Sequence, residues 1–108
     1  MPIYNAPLAD MKFILNDVFN AEQFWQSNEN LAHLDAATAE AILEEMAKFA
    51  QNVTLPLNRT GDEEGATYNN GAVTTPAGFK DAFQQYAQGG WIGLGAEEEW
   101  GGQGMPKM

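Results

Sequence analysis

Apolar residues recur at helical spacing in three stretches of the chain. From Leu8 to Phe19, the residues Met11, Ile14, Leu15, Val18 and Phe19 keep the rhythm that lines side chains along one stripe of a helix, while Phe13 points the other way. A short helix with an aromatic side chain behind its stripe is expected to touch two partners. Asp10 lies where a carboxylate favours a helix start through capping and the helix dipole. A second stripe, Ile42, Leu43, Met46, Phe49, Ala50 and Val53, predicts a helix capped by Asp35 and running to about Val53, with Glu44 and Lys48 paired on its outer side. A third, Phe79, Ala82, Phe83, Tyr86 and Ala87, predicts a helix opened by Thr75-Pro76 and closed by Gly89-Gly90.

Between these stripes the periodicity lapses. The segment before Asp35 is rich in Asn and Gln and reads as irregular. Pro56 is expected to end the second helix, because a proline pushes the preceding residue, here Leu55, out of the helical region. Leu57 to Thr74, with Gly61, Gly65, Gly71, Asn69-Asn70 and an acidic cluster, then reads as a long surface excursion. So long a loop is expected to be held by another surface through Tyr68 and Val73. Trp91 to Pro106 is glycine-rich and aromatic without a period, and reads as an ordered loop with Trp100 and Met105 exposed. No strand pattern and no internal repeat stands out. The expected fold class is all-α, a small helical domain of about three main helices with long ordered loops.

Composition narrows the chemistry. A chain of 108 residues has room for one core. Fifteen Asp and Glu against five Lys and Arg give a net charge of −10, which disfavours binding to nucleic acid or to an anionic membrane. The absence of cysteine excludes disulfides, a thiolate nucleophile and cysteine-based metal centres, and the single histidine, His33, excludes a site built on two imidazoles. No apolar run reaches the ~20 residues of a membrane span. Met1 to Pro7 shows no basic and then apolar leader, so a cytoplasmic location is expected.

The candidate sites are weak when taken one by one. Gly93-Leu94-Gly95-Ala96-Glu97-Glu98 invites a phosphate-loop reading, but Glu98 stands where the third glycine of a dinucleotide fingerprint belongs, and three glutamates would repel the phosphate. Neither Asp62-Glu63-Glu64 nor Glu97-Glu98-Glu99 has the alternating oxygen ligands that calcium needs, so both read as solvated acidic faces. His33 has no neighbouring Ser or Cys and reads as structural. No catalytic, cofactor-binding or metal-binding residue is therefore assigned. In the turn Trp100-Gly101-Gly102-Gln103-Gly104, Gly101 or Gly102 is expected at positive φ, in a packed corner anchored by Trp100.

Four motifs in order carry a resemblance. Tyr4-x-Ala6-Pro7-Leu8-x-Asp10-Met11-x-Phe13 comes first, then Pro56-Leu57-Asn58-Arg59-x-Gly61-Asp62 and Thr75-Pro76-x-Gly78-Phe79-Lys80. Gly90-Trp91-x-Gly93-Leu94 follows, with Glu99-Trp100-Gly101-Gly102-Gln103-Gly104-Met105-Pro106. Together they resemble the N-terminal region of flavin-dependent acyl-CoA dehydrogenases, and within them the bacterial 3-methylmercaptopropionyl-CoA dehydrogenase-like branch, which carries an extra N-terminal helical segment. Trp100 stands where the family often has Tyr.

The resemblance implies residues 1–34 as an N-terminal helical extension and 35–108 as the start of the family's N-terminal helical domain, in a chain that looks truncated. For the intact enzyme of acyl-CoA (fatty acid) metabolism it implies FAD, an acyl-CoA substrate, an electron-transfer flavoprotein as acceptor and a homo-oligomer. The reaction would be α,β-dehydrogenation, with a glutamate taking the α proton and flavin N5 the β hydride. That glutamate would lie downstream, so this chain alone is expected to be inactive, structural and substrate-walling. Phe13, Phe79, Phe83, Trp91, Trp100, Gly101 and Gly102 are the residues expected to pack against other domains. The alternative reading is a stand-alone acidic helical protein-interaction module without catalysis.

Overall fold

The structure, a computed structural model, describes residues 3–107. Helix α1 (Leu8–Lys12) runs on into a wider π-helical turn, Phe13–Val18. After left-handed Asn20 comes α2 (Ala21–Gln26). The longest helix, α3 (Ala36–Phe49), passes through a second π-helical turn (Ala50–Thr54) into α4 (Leu55–Glu64). A hairpin of β1 (Thr67–Asn69) and β2 (Ala72–Thr74) leads to α5 (Phe79–Gln88), and the chain then coils through one 3₁₀ turn, Glu98–Trp100. The mostly helical architecture is as expected from the three stripes.

Asp35 caps α3 as expected, its carboxylate accepting the Thr38 N–H at 2.7 Å. Three other expectations at helix starts and ends need correction. Asp10 makes no cap bond; the residue before α1 is Pro7, and Asp10 sits in the first turn, where only the dipole rewards it. Thr75-Pro76 does not open α5. Pro76 is buried, the Glu64 carboxylate takes the Ala77 N–H at 3.1 Å, and the helix starts after Gly78 at φ +88°. A side chain at Gly78 would strike Leu57 of α4, so packing sets this start.

Pro56 does not stop the second helix. It lies in the first turn of α4, where its missing N–H has no helical partner to lose, and the π-helical turn before it resets the ladder. The Thr54 hydroxyl donates to the Ala50 carbonyl at 3.1 Å across that turn. The predicted loop from Leu57 is therefore largely helix up to Glu64, and the supposedly irregular segment after Phe19 contains α2.

The hairpin is also a correction, since no strand was expected. Its register pairs Thr67 with Thr74, Tyr68 with Val73 and Asn69 with Ala72. Asn70 (φ 49°) and Gly71 (φ 84°) both take left-handed conformations at the bend, the geometry a two-residue hairpin demands. At the other end of α5 the expected stop holds, with Gly90 left-handed at φ +81°.

α1 lies antiparallel along α3. Lys12 donates to Glu44 at 2.8 Å, Asn16 to Glu40 at 2.9 Å, and Gln51 reaches the Tyr4 carbonyl and Asn5 near the chain start. The expected Glu44–Lys48 pair is thus replaced, because Lys12 takes Glu44 while Lys48 turns to Glu45. The core sits at one end of this seam, where Ala21 and Trp25 of α2 meet Leu34 and Ala39, with Leu15, Leu31 and Met105 packed around them. Met105, expected to be exposed, closes this core from the far end of the chain.

Candidate interaction surface

The core is small for the chain. Apart from Gly61 and Pro76, only Ala21, Trp25, Leu34, Ala39 and Ala47 are buried among the residues described. The molecule is a slab of 54 × 35 × 16 Å with a radius of gyration of 17.5 Å, where a compact domain of this length would have about 13 Å. Its accessible surface is 7925 Å², against about 5,900 Å² for a compact folded monomer of this mass. Apolar side chains that a second layer would cover stand in the open instead.

The residues expected at an interface divide into two groups. Phe13 (57%), Phe83 (63%) and Trp100 (80%) are exposed within this chain. Phe79 and Trp91 are partly used internally. The Phe79 ring lies over Gly61 of α4, so close that a methyl group there would sit 2.5 Å from it, and Trp91 folds beside Gly89. Tyr68 and Val73 of the hairpin, paired in its register, are exposed as well. Gly101 is left-handed at φ +83° with open space around it. Gly102 does not have a positive φ; a side chain there would land on the Ala96 carbonyl oxygen.

Trp100 projects from a loop that is well tied. Gln103 N–H donates to Gly93 at 2.9 Å, Gly104 N–H to Ala96 at 2.8 Å and Met105 N–H to Leu94 at 2.9 Å, and the Gln103 amide reaches the Gly90 carbonyl at 3.1 Å. This lacing presents Trp100 outward and carries Met105 back to the core. Two aromatic residues that the pattern had placed only on separate stripes, Phe49 and Tyr86, meet with ring centres 5.9 Å apart and join α3 to α5. Trp25, the centre of the core, lay in the segment read as irregular; the Ala21, Trp25 spacing of four was its signal.

Two further clefts bear on whether this chain could hold a dinucleotide. A cleft of about 630 Å³ is lined by His33, Leu31, Glu97, Glu98 and Glu99, bringing the lone imidazole to the acidic run. His33 is exposed there. Three carboxylates make the cleft a poor place for a pyrophosphate, so these residues do not fit FAD. A smaller apolar pocket of about 40 Å³ lies between Trp25, Leu34, Ala39, Ile42, Leu94 and Met105 and is a packing gap beside the core. Among the described residues no three His, Asp or Glu side chains gather as metal ligands, and no helix is long and apolar enough to cross a membrane.

Charge perturbations fall at the α1–α3 seam, at the α3 cap and at one ion pair within α3. The hydrogen bond to Glu44 raises the Lys12 ammonium above its ordinary value, and the same bond lowers Glu44. Lys48 is raised by its bond to Glu45, and Asp35 is lowered by the Thr38 N–H. Lys12 and Glu44 join α1 to α3, Asp35 caps α3, and Lys48 pairs within α3.

No protein-family model matches the chain. Over 105 residues, 97% of its length, the chain is 34% identical to 3-methylmercaptopropionyl-CoA dehydrogenase of Ruegeria pomeroyi, and it spans 18% of that protein. The resemblance read from the four motifs is borne out: over nearly its whole length this chain is similar to part of an acyl-CoA dehydrogenase.

Proposed function

We propose that the chain is the N-terminal helical part of an FAD-dependent acyl-CoA dehydrogenase, and that its role is structural. In this reading it walls the acyl-CoA side of the active site and packs on the domains that hold flavin and substrate. Residues 1–34 serve as an extension, and residues 35–108 begin the N-terminal helical domain. The observation that carries the reading is 34% identity sustained over 97% of the chain, with a match to only 18% of the relative. The surplus of uncovered surface supports the structural role, because Phe13, Phe83 and Trp100, read as facing other domains, are exposed within this chain.

The chain's own residues supply walls and packing and no chemical step. Flavin, when bound by the intact enzyme, would accept the β hydride. The α proton, the flavin and the docking of an electron-transfer flavoprotein belong to residues outside this sequence, and the intact enzyme is read as a homo-oligomer. The alternative is a stand-alone acidic interaction module.

The test is to read the gene past Met108 and assay its product. An in-frame continuation whose purified product binds FAD and oxidises an acyl-CoA supports the reading, with the 108-residue chain alone doing neither. A stop codon directly after Met108, with no separately encoded remainder that restores activity when mixed with the chain, would replace it by the module.

A further inference from the structure

We propose that Asn70 is a site of spontaneous covalent modification, its side-chain amide lost through a cyclic imide, and that the hairpin holds the reaction back for as long as it stays closed. Nine asparagines occur in the chain (5, 16, 20, 28, 30, 52, 58, 69 and 70), and Asn70 alone is followed by glycine. The next backbone nitrogen is the nucleophile of this reaction. With no Cβ on Gly71 it is unshielded, and a methyl group placed there would meet no atom within 4 Å. The Asn70 amide makes no hydrogen bond among the described residues, whereas the side chains of Asn5, Asn16, Asn20 and Asn28 are each engaged.

The chemistry needs no co-reactant but water. The Gly71 nitrogen gives up its proton and attacks Asn70 Cγ; the N–Cγ bond forms, the Cγ–Nδ2 bond breaks, and ammonia carries the proton away. Water then opens the five-membered imide at either carbonyl. The products are aspartate and its isomer in which the main chain runs through Cγ. Either one adds a negative charge to a chain of net −10, and the isomer also adds one atom to the main chain inside the bend.

Closing the imide ring requires the Gly71 nitrogen to lie on the same side of the Asn70 Cα–C bond as Cβ. The hairpin forbids this. Its register pairs Asn69 with Ala72 across a two-residue bend, and Asn70 at φ 49° with Gly71 at φ 84° makes the bend type I′, which sets ψ of the first residue at about +30°. Cβ stands about 120° round Cα from the backbone nitrogen, so this ψ turns the Gly71 nitrogen about 150° away from Cβ, out of reach of Cγ. A type II′ bend, whose first residue has ψ near about −120°, would present the nitrogen for attack, but it requires a negative φ at Gly71. The reaction therefore waits for the bend to open, and the imide, once formed, cannot close back into the type I′ turn. Because nucleophile and target are consecutive residues, no free surface is needed, and a neighbour packed on the hairpin would add to the protection. The reaction is independent of the dehydrogenase reading.

The test follows the purified gene product in mildly alkaline buffer, folded and in urea, by cleavage after Arg59 and Lys80 and mass analysis of the peptide 60–80, whose fragmentation separates Asn69 from Asn70. In urea Asn70 is expected to lose its amide about tenfold or more faster than Asn69, and Gly71→Ala to remove most of that lead. In the folded protein the Asn70 rate is expected to fall about tenfold or more. Tyr68→Gly/Val73→Gly, which deletes the cross-strand pair beside the one that closes the bend, should raise the folded rate about threefold or more and leave the urea rate unchanged. Equal rates for Asn69 and Asn70 in urea would overturn the assignment of the site. Equal rates for Asn70 in both states, or a folded rate untouched by the double variant, would overturn the gate. Circular dichroism checks that the double variant keeps its helices; if it does not, Val73→Gly alone takes its place.

Discussion

Gly101 and Gly102 stand side by side and are needed for different physical reasons. Gly101 has a left-handed backbone and empty space around it, so a side chain there costs only the conformational penalty, about 1–2 kcal/mol for Ala. Gly102 lacks the positive φ but faces the Ala96 carbonyl, so any side chain must push backbone away, at about 2 kcal/mol or more. Asparagine separates the two, because it tolerates the left-handed region and still has a Cβ. In urea unfolding, Gly101→Asn should lose less stability than Gly101→Ala, while Gly102→Asn should lose at least as much as Gly102→Ala. Equal rank order at both sites would show that close approach is not what Gly102 is for. Asp35 offers a second test. Its carboxyl is held below the usual range by the Thr38 N–H, so its stabilisation is complete above the unfolded pKa of about 3.9 and is lost as pH falls through the lower folded value. Asp35→Asn should flatten that part of the acid unfolding profile, and an unchanged profile would remove Asp35 from the cause.

Between elements, proline and glycine act through their neighbours. A proline in mid-helix costs about 3 kcal/mol, yet Pro56 sits where α4 begins again after a π-helical turn. Pro56→Ala is therefore expected to change stability by less than about 1 kcal/mol, as at any first-turn position. A gain near 3 kcal/mol in thermal unfolding would mean that the proline strains the helix after all. Gly61→Ala would ordinarily favour a helix, but the Phe79 ring fills the space its methyl would take. The variant is expected to be destabilised, and Gly61→Ala/Phe79→Leu to recover part of the loss, read from the midpoints of the two unfolding curves.

For the molecule as a whole, shape is the most direct test. A slab with a radius of gyration of 17.5 Å should scatter as an elongated particle, and small-angle scattering of the monomer giving about 13 Å would show a fold closed on itself. The uncovered aromatic residues should also bind a hydrophobic dye. Salt should promote self-association by screening the net charge of −10 that keeps copies apart.

Much of this architecture is written in local pattern. The stripes of α3 and α5, the Asp35 cap and the Gly90 stop follow from spacing and side-chain chemistry, and four ordered motifs carry the family resemblance, whereas the expected α1 stripe is split, with Met11 and Leu15 partly covered and Ile14, Val18 and Phe19 exposed like Phe13. The hairpin too was legible, since Asn70-Gly71 is the dipeptide that favours its bend, although Tyr68 and Val73 gave no buried alternation to support it. What local pattern does not hold is whatever depends on a distant partner. Lys12 takes Glu44 from Lys48 only because α1 lies along α3, Met105 is drawn inward only because a laced loop returns it to Trp25, and Phe79 is half-covered only because Gly61 leaves room. The same holds for Phe13, Phe83 and Trp100, whose stripes and turn mark them as packing residues while their exposure follows from the slab having too few layers to bury them.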